Sequence, residues 1–423
     1  MNENNNKILL ELKKKEGLVE FFLPKYYDIK NSFINNDVLE KDTISKSLPV
    51  FYNENMIFNR DITEIIVCIY SKLLGRKLKF LDLMAASGIR SIRLLKETDC
   101  VEKIYINDLN PLAVKYIEKN LDFNNISNEK YEIFNEDAII APLWLSKKTG
   151  SNNEYFDVID IDPFGSPAKY LPSAIQAIKL NGLLCVTATD TPVLFGIKKI
   201  QCLRKYLTLP IKTDFLKEVG IRILIYYVMK ICNIFELYVE PILSISSDHY
   251  IRIFLIVKKG LSGCNNNIKN FGYYIFCPNC LFRDIKKFYE NENEFKCSKY
   301  QDCPKCNSKL YYSGILWLGN LHNEIYQNKL KEYVNRKDIE SLKMFFTLKK
   351  IKKYIDRSID EDKFPPYYYS ISKLADIMNV SAKSMNLLIE NLKSLGFNSS
   401  RTHFDSMGIK TNASIEIIKK ILQ

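Results

Sequence analysis

The chain has 423 residues, of which 47% are hydrophobic and 26% are charged. This balance is typical of globular proteins and excludes a chain that is disordered throughout, and the length predicts two or three domains with separate cores. Lys and Arg outnumber Asp and Glu by 61 to 49, a formal charge of +12. That excess favours a polyanionic partner, although simple solubility also explains it.

Residues 1–50 form a polar and basic lead-in, and a first domain is predicted over residues 51–260. Within this domain, residues 80–257 alternate short apolar runs with amphipathic stretches. The predicted strands are KFLDLM, KIYIND, YEIFNED, FDVIDID, LLCVTATD, YVEPILSISSD and YIRIFLIVKK. The predicted helices between them are SIRLLKE, PLAVKYIEKNLDFN and KYLPSAIQAIKL. Strands that alternate with helices are typical of βαβ units, so we expect an α/β fold with a mostly parallel, Rossmann-like sheet. The last two strands are predicted to close this sheet as an antiparallel hairpin.

The most apolar stretch, residues 219–239, does not predict a membrane span. A spanning helix needs about 20 mostly apolar residues, and this stretch is interrupted by Arg222, Lys230, Asn233 and Glu236. The N-terminal sequence MNENNNKILL has no basic run before an apolar segment, so we expect no secretory signal. We therefore expect a cytoplasmic, archaeal-like protein, with a nuclear or mitochondrial location left open.

A second domain is predicted over residues 265–423, after a linker at residues 260–269 that is rich in Gly, Ser and Asn. Near its end, ISKLADIMNV and SAKSMNLLIENLKSLGF have apolar residues at helical spacing, and Ser381 between them is a candidate helix N-cap. Two helices joined by a tight turn and followed by the β-like tail SSRTHFDSMGIKTN predict a winged helix-turn-helix. An ordinary helical hairpin is the alternative.

Three successive predicted strands end in an acidic residue. The first runs through Asp82 into the small-residue turn AASG, where a ligand can approach the backbone at the carboxyl edge of the sheet. Asp108 ends the second strand, and a carboxylate there can accept both hydroxyls of a ribose. Asp137, followed by Ala138, ends the third and can meet an adenine amino group. Together they predict S-adenosylmethionine rather than a pyrophosphate ligand, although each Asp alone is also explained as a helix N-cap.

The fourth strand ends in Asp162-Pro163-Phe164, which predicts an amino-group methyltransferase. Asp162 can accept a hydrogen from an exocyclic amine, which aims the nitrogen lone pair at a methyl donor. Pro163 stiffens the chain, and Phe164 can stack on a base. Methyl transfer from a sulfonium depends mainly on in-line positioning. Asp160 is a candidate second polar contact, and a plain turn after a strand is the alternative.

Five of the 11 cysteines fall within residues 277–306, where two Cys-x2-Cys knuckles are separated by 22 residues. This spacing predicts a structural zinc with four thiolate ligands, namely Cys277, Cys280, Cys303 and Cys306. Cys297 is a spare that could replace one of them. The three histidines, His249, His322 and His403, form no catalytic-triad or metal-ligand motif, and no P-loop is present. Serine hydrolase, catalytic zinc and nucleotide-driven motor activities therefore have little support.

Several segments resemble the tRNA (guanine(26)-N2)-dimethyltransferase family. They are FYNENMIFNRD (51–61), FLDLMAASGIRSIR (80–93), NDLNPLAV (107–114), DPFGSP (162–167), TATDTPVLFG (187–196), the cysteine knuckles, GILWLGNLH (314–322) and SRTHFDSMGIKTNA (400–413). They follow the family's order along nearly the whole chain, and the combination of DPFG, TATDT and SRTHFD is specific. Departures are Glu54 and Ser406 where the family has Pro, and the long spacing between the knuckles.

The resemblance implies a class I methyltransferase core with a zinc-binding and tRNA-binding C-terminal domain. The implied cofactor-binding residues are Arg60 and Arg90 at the carboxylate of S-adenosylmethionine, Asp108 at its ribose, and Asp137 with Ala138 at its adenine. Asp162 would be the catalytic carboxylate, Phe164 the base-stacking ring, and the four knuckle cysteines the zinc ligands. The implied substrate is guanine at tRNA position 26, methylated once or twice on N2.

Two other functions stay open: a DNA adenine amino methyltransferase and a catalytically silent tRNA-binding protein. A tRNA partner agrees with the charge of residues 343–423, which hold 14 basic and 8 acidic residues. Candidate phosphate contacts in this region are Lys349, Lys350, Lys352 and Lys353, which are also explained as a solvated helix face. No membrane partner and no obligate protein partner are expected.

Overall fold

The computed structural model describes residues 7–28, 48–148, 155–247, 249–289, 300–336 and 345–423. The chain divides into two compact units. The first unit comprises residues 1–162, 176–184 and 329–352, and the second comprises residues 163–175, 185–328 and 353–423. The domain boundaries at residues 50 and 260–265 stay a prediction.

The first unit begins with an antiparallel hairpin of β1 (Lys7–Glu16) and β2 (Val19–Asp28). Gly17 in its turn has a left-handed backbone with φ 60°, which glycine adopts without strain. The hairpin lies within the polar lead-in, whose composition did not predict a paired structure.

A buried carboxylate at the end of β1 holds this hairpin in place. Glu16 accepts hydrogen bonds from Arg60 Nε and Nη2 at 2.7 and 2.6 Å, and from Arg93 Nη1 at 2.9 Å. Arg93 also donates to Asp61 at 2.7 Å and to Glu97 at 3.0 Å. Because these side chains are buried, each charge depends on its partners for compensation.

Four parallel strands of the first unit lie in the order β5-β4-β3-β6. They are β3 (Leu78–Asp82), β4 (Val101–Asn107), β5 (Tyr131–Phe134) and β6 (Phe156–Ile161). The helices before and between them are α1 (Ile57–Leu74), α2 (Ile89–Glu97), α3 (Pro111–Phe123) and α4 (Ala141–Lys148). The predicted alternation of strands and helices is confirmed.

Seven strands make one sheet in the order β5-β4-β3-β6-β7-β9-β8. The elements that follow β6 along the chain are α5 (Leu171–Ala177), β7 (Ile178–Ala188), α6 (Thr191–Leu194), α7 (Lys199–Tyr206), α8 (Leu216–Ile234), β8 (Leu237–Ser247) and β9 (Tyr250–Lys259). β8 and β9 pair antiparallel, as predicted for the last two strands. Helix α5 ends earlier than predicted, because residues 178–180 already belong to β7.

Arg222, one of the polar residues inside the most apolar stretch, is buried on α8 together with its partners. Arg222 pairs with Glu218 at 2.8 Å and donates to the carbonyl oxygen of Gly319 at 2.7 Å. Glu218 also accepts from Lys410 at 2.8 Å. In the part of the chain that the structure describes, no helix is long and apolar enough to cross a membrane.

The predicted linker at residues 260–269 is wrong, because the structure has a helix there, α9 (Leu261–Ile268). Cys264 and Asn267 are buried on one face of α9, and Asn267 donates to the carbonyl oxygen of Val239 on β8 at 3.2 Å. These two residues are three positions apart, so the Asn-rich composition hid a helical spacing.

The chain continues with β10 (Phe271–Phe276), β11 (Arg283–Lys287) and β12 (Tyr311–Trp317), which form a sheet in the order β11-β10-β12. In the described residues after β12, the helices are α10 (Glu324–Val334) and α11 (Leu348–Ser358), followed by a short 3-10 turn, Glu361–Lys363.

The C-terminal elements agree with the predicted winged helix-turn-helix. They are β13 (Tyr369–Ser370), α12 (Ile371–Met378), α13 (Met385–Ser394), β14 (Ser399–Arg401), β15 (Gly408–Thr411) and α14 (Ile415–Leu422). The strands form an antiparallel sheet in the order β13-β15-β14, which an ordinary helical hairpin lacks. The N-cap of α13 is Ser384, which accepts from the Leu387 N–H at 3.3 Å, and not Ser381 as predicted.

The Glu16 cluster predicts a pH-dependent stability. Burial raises the pKa of Glu16, but Arg60 and Arg93 outweigh burial and lower this pKa from 4.5 to about 2. Because the pKa is lower in the folded chain, Glu16 stabilises the fold above about pH 4.5, and this stabilisation is lost as the pH falls towards 2. Glu16→Gln should lower the free energy of unfolding at pH 7 by about 3 kcal/mol, with a smaller difference from wild type at pH 3.

Denaturant unfolding at several pH values measures this effect. Glu11→Gln is the matched control, because Glu11 lies on the same strand in a half-exposed pair with Lys119, where such pairs contribute about 1 kcal/mol or less. Equal losses in the two variants at pH 7 would contradict the assigned role of Glu16.

Candidate active site and metal centre

The turn after β3 is shaped by small residues. Ala86 and Gly88 both have left-handed backbones, with φ 50° and 74°. A Cβ atom on Gly88 would come within 3.0 Å of the Ile117 side chain. The small-residue turn AASG therefore serves a tight backbone path from β3 into α2, as the sequence predicted.

Asp108 bridges two neighbouring strand ends. Its Oδ2 atom accepts a hydrogen bond from the Ala86 N–H at 2.7 Å, and its Oδ1 atom accepts from the Asn110 N–H at 2.8 Å. Burial raises the pKa of Asp108, although both N–H donors oppose this rise. The carboxylate is thus held by backbone groups at the carboxyl edge of the sheet.

Asn107, which the sequence reasoning missed, ties three strand ends together. Its Nδ2 atom donates to the carbonyl oxygens of Leu83 and Glu136 at 3.1 and 3.0 Å. Its Oδ1 atom accepts from the Glu136 N–H at 3.1 Å. Asp137 and Ala138 follow Glu136 directly, so the structure brings the three predicted acidic strand ends to one edge. Ala138 is buried there.

Arg90 contacts the predicted catalytic carboxylate. Its Nη2 atom hydrogen-bonds Asp162 Oδ2, and its Nη1 atom lies 3.5 Å from Asp160 Oδ2. Nη1 also donates to Asn59 Oδ1 at 3.0 Å and to Thr63 Oγ1 at 3.1 Å. Arg90 was expected at the cofactor carboxylate, and in this structure it orients Asp162.

Asn59 and Thr63 are further residues that the sequence reasoning did not single out. They are polar, lie four positions apart on the buried side of α1, and therefore share one helix face. Their four-residue spacing was the available signal, but other polar residues of the same helix, such as Arg60 and Asp61, lie between and beside them.

Arg60 was also expected at the cofactor carboxylate, but the structure pairs it with Glu16 through two hydrogen bonds. Its Nη2 atom also donates to the carbonyl oxygen of Asn53 at 3.0 Å. A ligand that contacts Arg60 would have to share this guanidinium with Glu16.

The sheet edge carries more negative than positive charge. Asp82, Asp160 and Asp162 all act on the one guanidinium of Arg90. Burial raises the pKa of Asp82 to about 7, Asp160 adds to this rise, and Arg90 opposes it. This excess favours a positively charged ligand.

The segment after Asp162 belongs to the second unit and presents Phe164, which is 66% exposed. Gly165, with φ 83°, donates to Thr189 Oγ1 at 2.6 Å, and the Thr189 N–H donates back to the Gly165 carbonyl oxygen at 2.9 Å. Ser166 donates to the Tyr206 hydroxyl at 2.7 Å, and this hydroxyl donates to Asp190 at 2.9 Å. The TATD segment and α7 thus hold the Phe164 loop.

The four knuckle cysteines converge within the second unit. The Sγ atoms of Cys277 and Cys306, and those of Cys280 and Cys303, are each 3.5 Å apart, and all four lie within 4.8 Å of one another. A tetrahedral zinc with Zn–S bonds of about 2.3 Å holds its sulfurs about 3.8 Å apart. The donor set and spacing therefore fit zinc, and Cys297 lies outside the described residues.

Two histidines and a carboxylate form a further buried cluster in the second unit. Glu361 Oε2 lies 3.3 Å from His322 Nε2 and 2.9 Å from His403 Nδ1, and the three ligand atoms lie within 4.8 Å of one another. Glu361 Oε1 already accepts from the Thr402 hydroxyl and the His403 N–H. We interpret the cluster as a hydrogen-bonded link between segments 39 and 42 positions apart, a separation that leaves no sequence motif.

Sequence comparisons extend over nearly the whole chain. Residues 32–423 match the model of the TRM family, N2,N2-dimethylguanosine tRNA methyltransferase. A tRNA (guanine(26)-N(2))-dimethyltransferase of Methanobrevibacter smithii is 38% identical over 386 residues, which are 91% of this chain and 94% of the relative. A tRNA (guanine(26)-N(2)/guanine(27)-N(2))-dimethyltransferase of Aquifex aeolicus is 35% identical over 387 residues, which are 90% and 91% of the two chains.

The structure is similar to that of Trm1 from Pyrococcus horikoshii, which was solved in complex with S-adenosyl-L-methionine. The TM-score is 0.77 at 27% sequence identity, and the match covers 97% of this chain and 100% of that chain. The predicted fold class and the predicted resemblance are both confirmed. With a family model that spans residues 32–423 and relatives above 30% identity over most of their length, this chain belongs to the N2,N2-dimethylguanosine tRNA methyltransferase family.

Proposed function

We propose that this chain is an S-adenosylmethionine-dependent tRNA methyltransferase that methylates the exocyclic N2 of guanine at position 26, once or twice. The observation that carries the proposal is the carboxylate of Asp162, held by buried Arg90 at the end of β6 and followed directly by Pro163 and exposed Phe164. The names of the relatives and the cofactor bound to Pyrococcus horikoshii Trm1 support it.

The cofactor site that we propose lies at the carboxyl edge of β3, β4 and β5. Asp108 would hold the ribose hydroxyls, and Asp137 with Ala138 would frame the adenine. Arg60 and Arg90 would contact the cofactor carboxylate, beside their contacts with Glu16 and Asp162. When bound, S-adenosylmethionine supplies an electrophilic methyl group on a sulfonium, and the negative excess at this edge favours that positive charge.

In the reaction that we propose, Asp162 accepts a hydrogen bond from the N2 amine of guanine. This contact would aim the nitrogen lone pair at the methyl carbon. As the new N–C bond forms, the bond between the methyl carbon and the sulfonium sulfur would break and leave a neutral thioether, and Asp162 would receive the proton that the amine loses. Arg90 fixes the orientation of this carboxylate, so alignment is set before the substrate arrives. Phe164 stacks on the guanine ring.

The two alternatives have less support. A DNA adenine methyltransferase is not favoured by relatives that are named for tRNA guanine and match along most of the chain. A catalytically silent tRNA-binding protein has no need of a buried arginine aimed at Asp162.

We further propose a methyltransferase domain over residues 51–260 and a zinc-binding and tRNA-binding domain over residues 265–423, in a cytoplasmic protein. Zinc held by the four knuckle cysteines would be structural, because four protein ligands leave no open position. Lys349, Lys350 and Lys353 on α11 are exposed, and we propose that they contact tRNA phosphates together with Lys352. A solvated helix face remains the competing explanation of these four lysines.

The catalytic assignment predicts that Asp162→Ala loses at least about 100-fold in kcat. The Kd for S-adenosylmethionine should rise by less than about threefold, because Asp162 contacts the acceptor amine and Asp160 keeps a carboxylate beside Arg90 at this edge. The assay combines labelled S-adenosylmethionine with unmodified tRNA, and nucleoside analysis then locates the methyl group. Asp122→Ala, an exposed change on α3, is the control and should keep the wild-type rate.

Methylation by Asp162→Ala at the wild-type rate would show that another group has this role. If the wild-type chain transfers methyl groups to DNA adenine, or transfers none to tRNA, the proposed substrate is wrong.

The zinc assignment predicts a metal content of about one zinc per chain in protein purified without added chelator. The double variant Cys303→Ser/Cys306→Ser should lose this zinc and unfold at a lower temperature, because only three cysteines of the region, Cys297 included, then remain. Cys264→Ser, a buried cysteine outside the cluster, should keep the zinc. Metal analysis by mass spectrometry measures both, and a full complement in the double variant would refute the site.

A further inference from the structure

Helix α7 and its flanks carry an uninterrupted positive charge. Residues 197–207, IKKIQCLRKYL, contain three Lys, one Arg and no acidic residue. Lys198, Lys199 and Arg204 are exposed, and no carboxylate of the described residues forms an ion pair with them. Lys205 differs, because it pairs with Asp190 at 3.0 Å. Three cations on this segment are therefore available to an external anion.

The exposed side of α7 also carries apolar side chains. Ile200 is 76% exposed, the highest value among the large apolar side chains that the structure describes. Leu203 is exposed as well and follows Ile200 at three positions, so these two share one helix face. Leu207, also exposed, comes directly after the helix, where its backbone is left-handed with φ 52°. The opposite face buries Cys202 and Tyr206. Apolar side chains grouped on a surface mark an interaction site.

The buried side of α7 is connected to the loop that presents Phe164. Tyr206 accepts from the Ser166 hydroxyl at 2.7 Å and donates to Asp190 at 2.9 Å. Ser166 is two residues from Phe164, so a single side-chain contact joins the helix to this loop. A ligand seated on Phe164 therefore lies close to α7 within the same unit, and the exposed side of this helix carries the cations and apolar side chains described above.

We propose that the outer face of α7 binds tRNA beside the target guanine, an inference that rests on the proposed function. Lys198, Lys199 and Arg204 contact backbone phosphates, which attract clustered cations whatever the sequence. Ile200 packs against the bases that are uncovered when the target guanine leaves its stack. A base inside a helical stack has to be extruded to reach a catalytic group, and inserted apolar side chains accompany such distortion in nucleic-acid complexes.

A basic amphipathic helix is also typical of binding to an anionic membrane surface. The observations favour RNA, because α7 has only eight residues and is joined to the Phe164 loop by Ser166 and Tyr206. The membrane alternative is retained as an outcome of the test.

The charge component is tested with the double variant Lys198→Ala/Lys199→Ala. Its Kd for unmodified tRNA should rise about tenfold at 150 mM salt, and the slope of log K against log salt should fall by about 1.5, since each phosphate contact contributes about 0.7 to 0.9. The matched control is Lys259→Ala/Lys269→Ala, which removes two exposed lysines elsewhere in the same unit. Its Kd and slope should stay at the wild-type values.

The apolar component is tested with Ile200→Ser. Because packing follows the departure of the base, kcat should fall about tenfold while the Kd for tRNA changes less than about threefold. In a tRNA with 2-aminopurine beside position 26, the fluorescence rise on binding should also be lost, because unstacking causes that rise. Ile234→Ser, at a residue 67% exposed at the end of α8, is the control and should behave as wild type.

Equal loss of tRNA affinity in the two lysine double variants would overturn the assigned surface. The assigned surface would also be overturned if Lys198→Ala/Lys199→Ala bound tRNA as the wild type does but no longer bound phosphatidylglycerol vesicles. If the wild-type chain binds tRNA through these lysines but methylates no guanine at position 26, the proposed function fails and the α7 surface stands. Wild-type methylation at position 26 with no effect of either α7 variant refutes this surface alone.

Discussion

One buried guanidinium organises the candidate active site. Arg90 hydrogen-bonds Asp162, lies near Asp160, and is itself held by Asn59 and Thr63 of α1. A buried arginine without acceptors would be strongly destabilising, and a carboxylate without donors equally so. The charges of Arg90 and Asp162 therefore compensate each other, and their pairing fixes the direction of the Asp162 carboxylate. The helix that leads into β3 and the strand that ends at Asp162 are thus connected through one side chain.

The strand ends depend on a second polar residue in the same way. Asn107 satisfies backbone groups of the turns that follow β3 and β5. Asp108, the next residue, accepts a hydrogen bond from the N–H of Ala86, whose backbone is left-handed with φ 50°. Parallel strands place their carboxyl ends at one edge, and these bonds set the spacing of the turns there. The edge is consequently rigid where a cofactor would lie.

The sequence predicted those elements that depend on residues close together in the chain, and it missed those that depend on residues far apart in it. Strands β3 to β6 and the helices α2 and α3 between them were predictable, because apolar periodicity is a local property of the chain. The Cys-x2-Cys spacing was likewise local and led to four sulfurs that converge. The hairpin at residues 7–28 was not predictable, because it depends on Glu16 meeting arginines 44 and 77 positions away. The same reason explains why Arg60 was assigned to the cofactor alone.

Other predictions were wrong or incomplete because the composition of a segment did not show its helical spacing or its cap. The Asn-rich segment 260–269 suggested a linker, but Cys264 and Asn267 bury one face of a helix. Likewise, both Ser381 and Ser384 precede α13, and the sequence did not show which of them is the N-cap. The hydrogen bond from the Leu387 N–H identifies Ser384. The two histidines that contact Glu361 come from distant segments of the chain, so no sequence motif predicts this cluster.

The negative excess at the sheet edge has a consequence for turnover. In the proposed reaction the cofactor arrives with a sulfonium charge and departs as a neutral thioether. Asp160 and Asp162 both pair with Arg90 and outnumber it, so this edge would attract the incoming form through a charge interaction that the spent form lacks. The arrangement that favours entry of the methyl donor thereby weakens retention of the product. Charge, more than shape, separates the two molecules, which differ by one methyl group.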